Sequence, residues 1–344
     1  MAQLVRSTTQ PELAQAAQEL PADGLLLAAD VGGTWARVGL VRIDSDTPVV
    51  SSYRKYRCAD YSGLPAILKQ FMDELGTTRV VHGAIACAGY VLDDVVINTN
   101  LPWPVSLAEI RDGVGLYELL LVNDFTAIAH ATEYVASSDV TRVASTDMPL
   151  DGPQLIVGPG TGLGAAVRIP GARGASILST EAGQSALTPA TEFEVQILRH
   201  LLSQSTHIPL EHVLSGPGLA TLYATIGAIR GINAGVLTPS RITESALSGE
   251  NTLALETLHV FCGWLGSVVG DLVLLYGAQG GVFLAGGILP QISEFLLRSA
   301  FVDRFRDKGA MRPLLERVPV SLIEHGQLGV IGAAGWYLNQ RRGQ

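Results

Sequence analysis

The sequence predicts an α/β protein of two domains. Three observations predict it. The chain has 344 residues, and about 150 residues per domain suggests two. Short apolar runs alternate with amphipathic stretches of helical period. A strand, glycine turn and strand occur twice, near 30–34 and near 158–164, a weak sign of internal duplication.

Composition narrows the class. Hydrophobic residues make up 47 % and charged residues 16 %, with a mean hydropathy of +0.30, which excludes a disordered chain. The 38 glycines follow no Gly-X-Y period, so they belong to turns and close backbone approaches rather than to collagen. The net charge is −9 without a basic tract, so nucleic acid is not an expected partner. Backbone N–H groups can still hold a small phosphate. Cys58, Cys87 and Cys262 are odd in number and widely spaced. They form neither a disulfide framework nor a CxxC pair, and are expected to be free thiols in a reducing, cytoplasmic compartment. The seven histidines show no metal-ligand spacing.

The elements follow in order. Residues 1–23 have no continuous apolar core and form an expected arm with a short helix near 11–20. Residues 25–29 and 37–42 make a hairpin around Asp30-Val-Gly-Gly-Thr34. Residues 64–75 repeat apolar side chains at helical spacing. Strands at 80–86 and 119–122 follow, the second ending in Asn123-Asp124. A helix is expected over 126–136, capped by Thr126. The second set has strands at 154–157 and 165–169 around residues 158–164, and an amphipathic helix over 192–204. A long helix over 252–278 precedes a strand at 281–285, which runs into Gly286-Gly287. A strand at 318–323 and a helix at 328–340 close the chain. Within the long helix only 11 uncharged residues, 260–270, precede Asp271. A membrane span needs about 20, so a buried core helix is expected and no membrane.

The glycine turns suggest phosphate chemistry. Gly32, Gly33 and Thr34, and Gly160, Thr161 and Gly162, let a phosphate approach backbone N–H groups and add a hydroxyl. Neither turn is a Walker A loop or a GxGxxG dinucleotide fingerprint, which disfavours a nicotinamide enzyme. Gly286 and Gly287 supply a third such strand end, where an adenosine could lie. Asp30 ends a buried strand, a costly place for a carboxylate unless it holds hydrated Mg²⁺ or caps the turn. Asp124, at another strand end, is the candidate general base for a sugar hydroxyl.

In combination, Asp30-Val-Gly-Gly-Thr34, Asn123-Asp124-Phe-Thr-Ala127, Gly160-Thr-Gly-Leu-Gly164, Leu214-Ser-Gly-Pro-Gly218 and Ala285-Gly-Gly-Ile288 resemble the bacterial glucokinase family, over residues 25–340. The resemblance implies two actin-like (ribonuclease H-like) domains with an interdomain cleft. It implies a small domain of 24–133 plus 326–344 and a large one of 134–325. It implies ATP and Mg²⁺ as cofactors and transfer to the 6-hydroxyl of glucose, with the domains drawing together on sugar. By motif, Asp124 corresponds to the base, and Asn123, Glu181 and Glu211 to sugar contacts, with Asn100 a further one. Asp30 would hold Mg²⁺ through water. The expected partners are a small sugar and ATP; a homodimer stays open.

Two departures stand out. Trp35 occupies the place where the family usually has Asn, and Glu181-Ala-Gly-Gln184 stands where it has Glu-Gly-Gly-His. Gln184 can donate and accept hydrogen bonds but cannot carry charge, and Ala182 lacks glycine's freedom at positive φ. They leave open a catalytically weak sugar- or nucleotide-binding regulator, or a kinase for another hexose, on the same scaffold.

Overall fold

A computed structural model describes residues 3–6, 24–45, 47–76, 80–92, 95–97, 101–172 and 174–342. The helix expected near 11–20 and the candidate contact Asn100 lie outside them. The chain divides into two compact units, residues 1–135 with 325–344, and residues 136–324.

The first unit is built on a six-stranded sheet. β1 (Gln3–Arg6) is an edge strand antiparallel to β9 (Glu118–Val122). β2 (Leu25–Val31), β3 (Trp35–Asp44) and β4 (Thr47–Arg57) form an antiparallel meander. α1 (Leu64–Leu75) leads to β5 (His82–Cys87), which lies parallel to both β2 and β9. A small sheet of β6 (Tyr90–Leu92), β7 (Val95–Ile97) and β8 (Val105–Ser106) precedes α2 (Leu107–Val114). β5 and β9 are buried along their whole length, as strands covered on both faces must be. On one face α1 and α2 pack Leu64, Ile67, Leu68 and Ile110 against Leu27, Val38 and Ile85. On the other, Ala127 of α3 (Asp124–Ala131) and Val330, Ala333 and Ala334 of the C-terminal helix (Leu328–Arg342) cover Leu26, Ala28, Ala84 and Val122.

The second unit repeats this plan strand for strand. Its strands are β10 (Val140–Ala144), β11 (Gln154–Pro159), β12 (Leu163–Ile169), β13 (Ser176–Thr180), β14 (Gly281–Leu284) and β15 (Val320–Ile323). The orders β1-β9-β5-β2-β3-β4 and β10-β15-β14-β11-β12-β13 are the same topology. In both, an antiparallel edge strand comes first in sequence, a three-stranded meander follows, and two parallel strands complete the sheet. The duplication hinted at by the two glycine hairpins therefore extends over both sheets. The helices α5 (Gly216–Arg230) and α6 (Pro239–Leu247) pack on α7 (Thr252–Tyr276), and α4 (Glu192–Leu202) packs on α5. By length and composition α7 could cross a membrane, yet Phe261, Trp264 and Leu265 are fully buried in this unit's core. All three cysteines are buried thiols outside any disulfide, and burial pushes the Cys262 thiol up to about 12.

Some boundaries differ from expectation. The helix expected at 126–136 begins at Asp124 and is capped by Asn123, whose Oδ1 accepts the Thr126 N–H at 3.1 Å. Asn at a strand-to-helix junction outcompetes a threonine already inside the first turn. The second glycine turn is tighter than residues 158–164, because Pro159 and Leu163 still pair across the hairpin.

Candidate active site

In the first unit the register across three parallel strands aligns Asp30 with Ala86, and Ala86 with Val122. Asp30 and the Asn123-Asp124 pair thus leave the carboxyl edge of one sheet, the usual place for chemistry in α/β folds. Arg37 faces Asp30 across the first hairpin, and its Nη1 donates to Asp30 Oδ2 at 3.1 Å. The Asp30 side chain is 20 % exposed. Burial pushes its carboxyl above the ordinary 3.8, and Arg37 only partly offsets this. The C-terminal helix closes over the same carboxylate at Gly329, where a Cβ would lie 2.7 Å from Asp30 Oδ2. Only glycine allows that approach.

The turn itself is held by Gly32 N–H to Trp35 O at 3.1 Å, and by Cys58 N–H to Thr34 O at 3.0 Å. This leaves Thr34 exposed and Gly33 partly so. Trp35 points to solvent, 36 % exposed, with Lys55 Nζ 4.2 Å from its ring centroid. Asp124 Oδ1 accepts the Phe125 N–H at 2.9 Å at the start of α3. A carboxylate in a helix's first turn is favoured by the unpaired N–H groups there.

In the second unit the turn at Gly160–Gly162 closes through Gly160 N–H to Gly162 O at 2.8 Å, and Thr161 is exposed. Gly216 N–H donates to Gly160 O at 2.8 Å, tying the start of α5 to this turn. Gly286 adopts φ 94° and passes so close to Pro159 that a Cβ would meet its carbonyl oxygen at 2.5 Å. The turn, the α5 start and residues 286–288 are therefore one cluster, as motif spacing alone could not establish. Gly287 O accepts from Gln291 Nε2 at 2.7 Å.

Glu211 lies beside the same turn. It sits on a single 3-10 turn, Leu210–His212, after Pro209, and its carbonyl accepts from the Ser215 hydroxyl at 2.7 Å. Ser215 caps α5 through Gly218 N–H at 2.9 Å. Glu211 Oε2 accepts the Leu163 N–H at 3.3 Å, and Gln184 Nε2 donates to Glu211 Oε1 at 2.8 Å. Glu181 is exposed and precedes the 3-10 turn Ala182–Gln184. Ala182 is not at positive φ, so alanine costs nothing in backbone strain there. The second unit thus gathers Gly160, Thr161, Gly162, Glu181, Gln184, Glu211, Gly286 and Gly287 around one hairpin; the first gathers Asp30, Gly32, Gly33, Thr34, Asn123 and Asp124 along one sheet edge.

Two residues were missed from sequence. Arg37, the partner of Asp30, was recoverable, since residues flanking a tight hairpin face each other. His207, whose ring Nε2 lies 3.1 Å from Gln184 O, was not, because only the loop path at 184–187 and 207–210 brings it there. Among the described residues no three His, Cys, Asp or Glu side chains gather to hold a metal outright. A single strand-end carboxylate does fit Mg²⁺, which keeps several waters and takes its remaining ligands from phosphates.

Comparison with known proteins shows the family and the fold. The family model described as Glucokinase matches residues 27–340. A glucokinase-like protein of Xylella fastidiosa (strain Temecula1) is 50 % identical over 320 residues, covering 92 % of this chain and 95 % of its own length. The glucokinase of Paramagnetospirillum magneticum is 41 % identical, with 90 % of this chain and 97 % of its own covered. A solved glucokinase from an Antarctic psychrotroph superposes with a TM-score of 0.79 at 36 % identity, covering 92 % of this chain and 99 % of its own. The fold is accordingly that of the actin-like ATPases, and the chain belongs to the glucokinase family.

Proposed function

We propose that the chain transfers the terminal phosphoryl group of ATP to the 6-hydroxyl of glucose, with Asp124 as general base. The observation that carries this is the shared carboxyl edge of the first unit's sheet, from which Asp30, the Gly32–Thr34 turn and Asp124 all depart. Asp124 takes the hydroxyl proton as the new P–O bond forms. Asn123, Glu181, Gln184 and Glu211 read the sugar hydroxyls, and Asn100 adds a contact. Because Glu211 already accepts from Gln184 and Leu163, its lone pairs are aimed before sugar arrives. The turns at Gly32–Thr34 and Gly160–Gly162 hold the phosphates through backbone N–H groups, and Gly286 and Gly287 border the adenosine. Asp30 would hold Mg²⁺ through water, and the ion, when bound, would neutralise charge on the phosphate oxygens.

The residues departing from the family pattern favour testing more than one hexose. Gln184 is a neutral reader, so the order of preference among glucose, mannose, fructose and glucosamine is set by hydrogen-bond geometry rather than charge. A coupled assay of ADP release over this panel, with and without Mg²⁺, tests the proposal. Mg²⁺-dependent turnover highest on glucose supports it. Sugar binding by calorimetry with no ADP release on any hexose would make the chain a binding regulator instead. The reaction is expected in the cytoplasm, an expectation supported by three buried thiols in no disulfide.

A further inference from the structure

The β3–β4 hairpin concentrates positive charge on one face of a chain whose net charge is −9. Its register sets Trp35 opposite Arg57 and Arg37 opposite Lys55. The two-residue period of strands puts these four side chains on the same face as Asp30, which pairs with Arg37. Arg54 points to the other face and meets Glu74 at 3.5 Å. Lys55 and Arg57 are exposed, and neither meets an acidic side chain among the described residues. Lys55 is held against the Trp35 ring, its Nζ 4.2 Å from the centroid.

This arrangement has a cost. Like charges directly opposite on neighbouring strands repel, and here Arg37 faces Lys55 with Arg57 one pleat further on. One carboxylate, Asp30, offsets only Arg37. The indole attracts the ammonium through its ring face, yet the remaining N–H bonds of Lys55 stay free to donate outward. Arg57 sits directly across from Trp35, the residue that follows the Gly32–Thr34 turn. Two uncompensated cations, one braced by an aromatic ring, thus border a turn whose own N–H groups favour anions.

We propose that Lys55 and Arg57, braced by Trp35, form a phosphate-binding subsite beside the Gly32–Thr34 turn. Its ligand is a phosphate group carried on a nucleotide's polyphosphate tail or on a sugar phosphate. The choice of those two carriers rests on the phosphoryl-transfer reading above; the subsite itself rests on register and charge.

The test measures binding without turnover, by calorimetry on the full chain, with tripolyphosphate and glucose 6-phosphate as probes. The double variant K55Q/R57Q weakens at least one probe by about tenfold or more, as expected for the loss of charge-assisted hydrogen bonds. The remaining affinity depends less steeply on salt. W35F weakens the same probe by about threefold, through a poorer cation–π brace. R42Q removes a charge from an exposed residue on the opposite face of β3 and changes neither affinity. A loss confined to tripolyphosphate assigns the subsite to the nucleotide tail; one confined to glucose 6-phosphate assigns it to the sugar phosphate. Equal affinities of wild type and folded K55Q/R57Q for both probes, or no binding of either by wild type, overturn the proposal. A chain that releases no ADP but loses anion binding in K55Q/R57Q would refute the enzymatic reading and leave the subsite standing.

Discussion

Gln184 Nε2 donates to Glu211 Oε1 at 2.8 Å, across 27 residues of sequence, so this amide is engaged with a carboxylate beside the second glycine turn. An amide does not titrate near neutrality, whereas an imidazole there would. Gln184→His should therefore introduce a pH dependence between about 5 and 8 into the KM for sugar. The wild-type KM should be flat over that range as far as this position is concerned. A KM profile for the variant that matches wild type would show that residue 184 does not read the sugar.

Asp124→Asn separates chemistry from folding. The Asn Oδ1 can still accept the Phe125 N–H that Asp124 Oδ1 accepts at 2.9 Å, so the start of α3 survives. What is lost is the capacity to take a proton. The expected result is a fall in kcat of about 10²–10⁴-fold with glucose affinity largely kept. Rate and binding are read separately, by ADP release and by calorimetry. Near-normal kcat would remove Asp124 from the role of base.

How much of this was legible in sequence follows from range. Asp30, the two glycine turns and Asp124 announce themselves within a few residues, because glycine clusters and acids at the ends of apolar runs are local signals. The contact between Gln184 and Glu211 and the seating of residues 286–288 against the second turn depend on strand pairing between distant segments. β1 was hidden because its partner strand lies more than a hundred residues on. β4 was hidden because Arg54, Lys55 and Arg57 break the apolar alternation on an edge strand. α5 lacks a polar stripe, since most of its circumference is small or buried, and so shows little helical period.

Asp30→Asn should reveal a conflict between stability and function. The Asp30 carboxyl is raised above its ordinary 3.8 by burial, with Arg37 opposing. An acid that holds its proton more tightly when folded makes the native state bind more protons than the unfolded one, so its contribution falls as pH rises. The penalty is absent below about 3.8 and develops as pH climbs through the folded value. At neutral pH the asparagine variant should unfold at the same temperature as wild type or higher, and the gap should close in acid. Its ADP release should fall, and the Mg²⁺ needed for half-maximal rate should rise. A variant that melts lower at pH 7 would mean that the ion pair with Arg37 outweighs desolvation.

The opposite end of the first unit's sheet should behave in the reverse way. There Tyr337 of the C-terminal helix donates to Glu118 Oε2 at 2.8 Å and lies 2.7 Å from His82 Nδ1. Arg341 Nη2 meets the same Glu118 oxygen at 2.8 Å. Glu118, 1 % exposed, begins β9, and His82 begins β5, so the cluster sits at the amino ends of two parallel strands, the first of which leads at its carboxyl end to Asp124. Tyr337→Phe deletes one hydroxyl and leaves a buried carboxylate and imidazole short of a partner, at a cost of about 1–3 kcal/mol. Arg341 still neutralises Glu118, which keeps the loss from becoming that of a bare buried charge. The variant should unfold at lower denaturant with an unchanged m-value, while kcat and the KM for glucose stay at wild-type levels. Loss of kcat with intact stability would tie this buried cluster to the chemistry at the other end of the sheet.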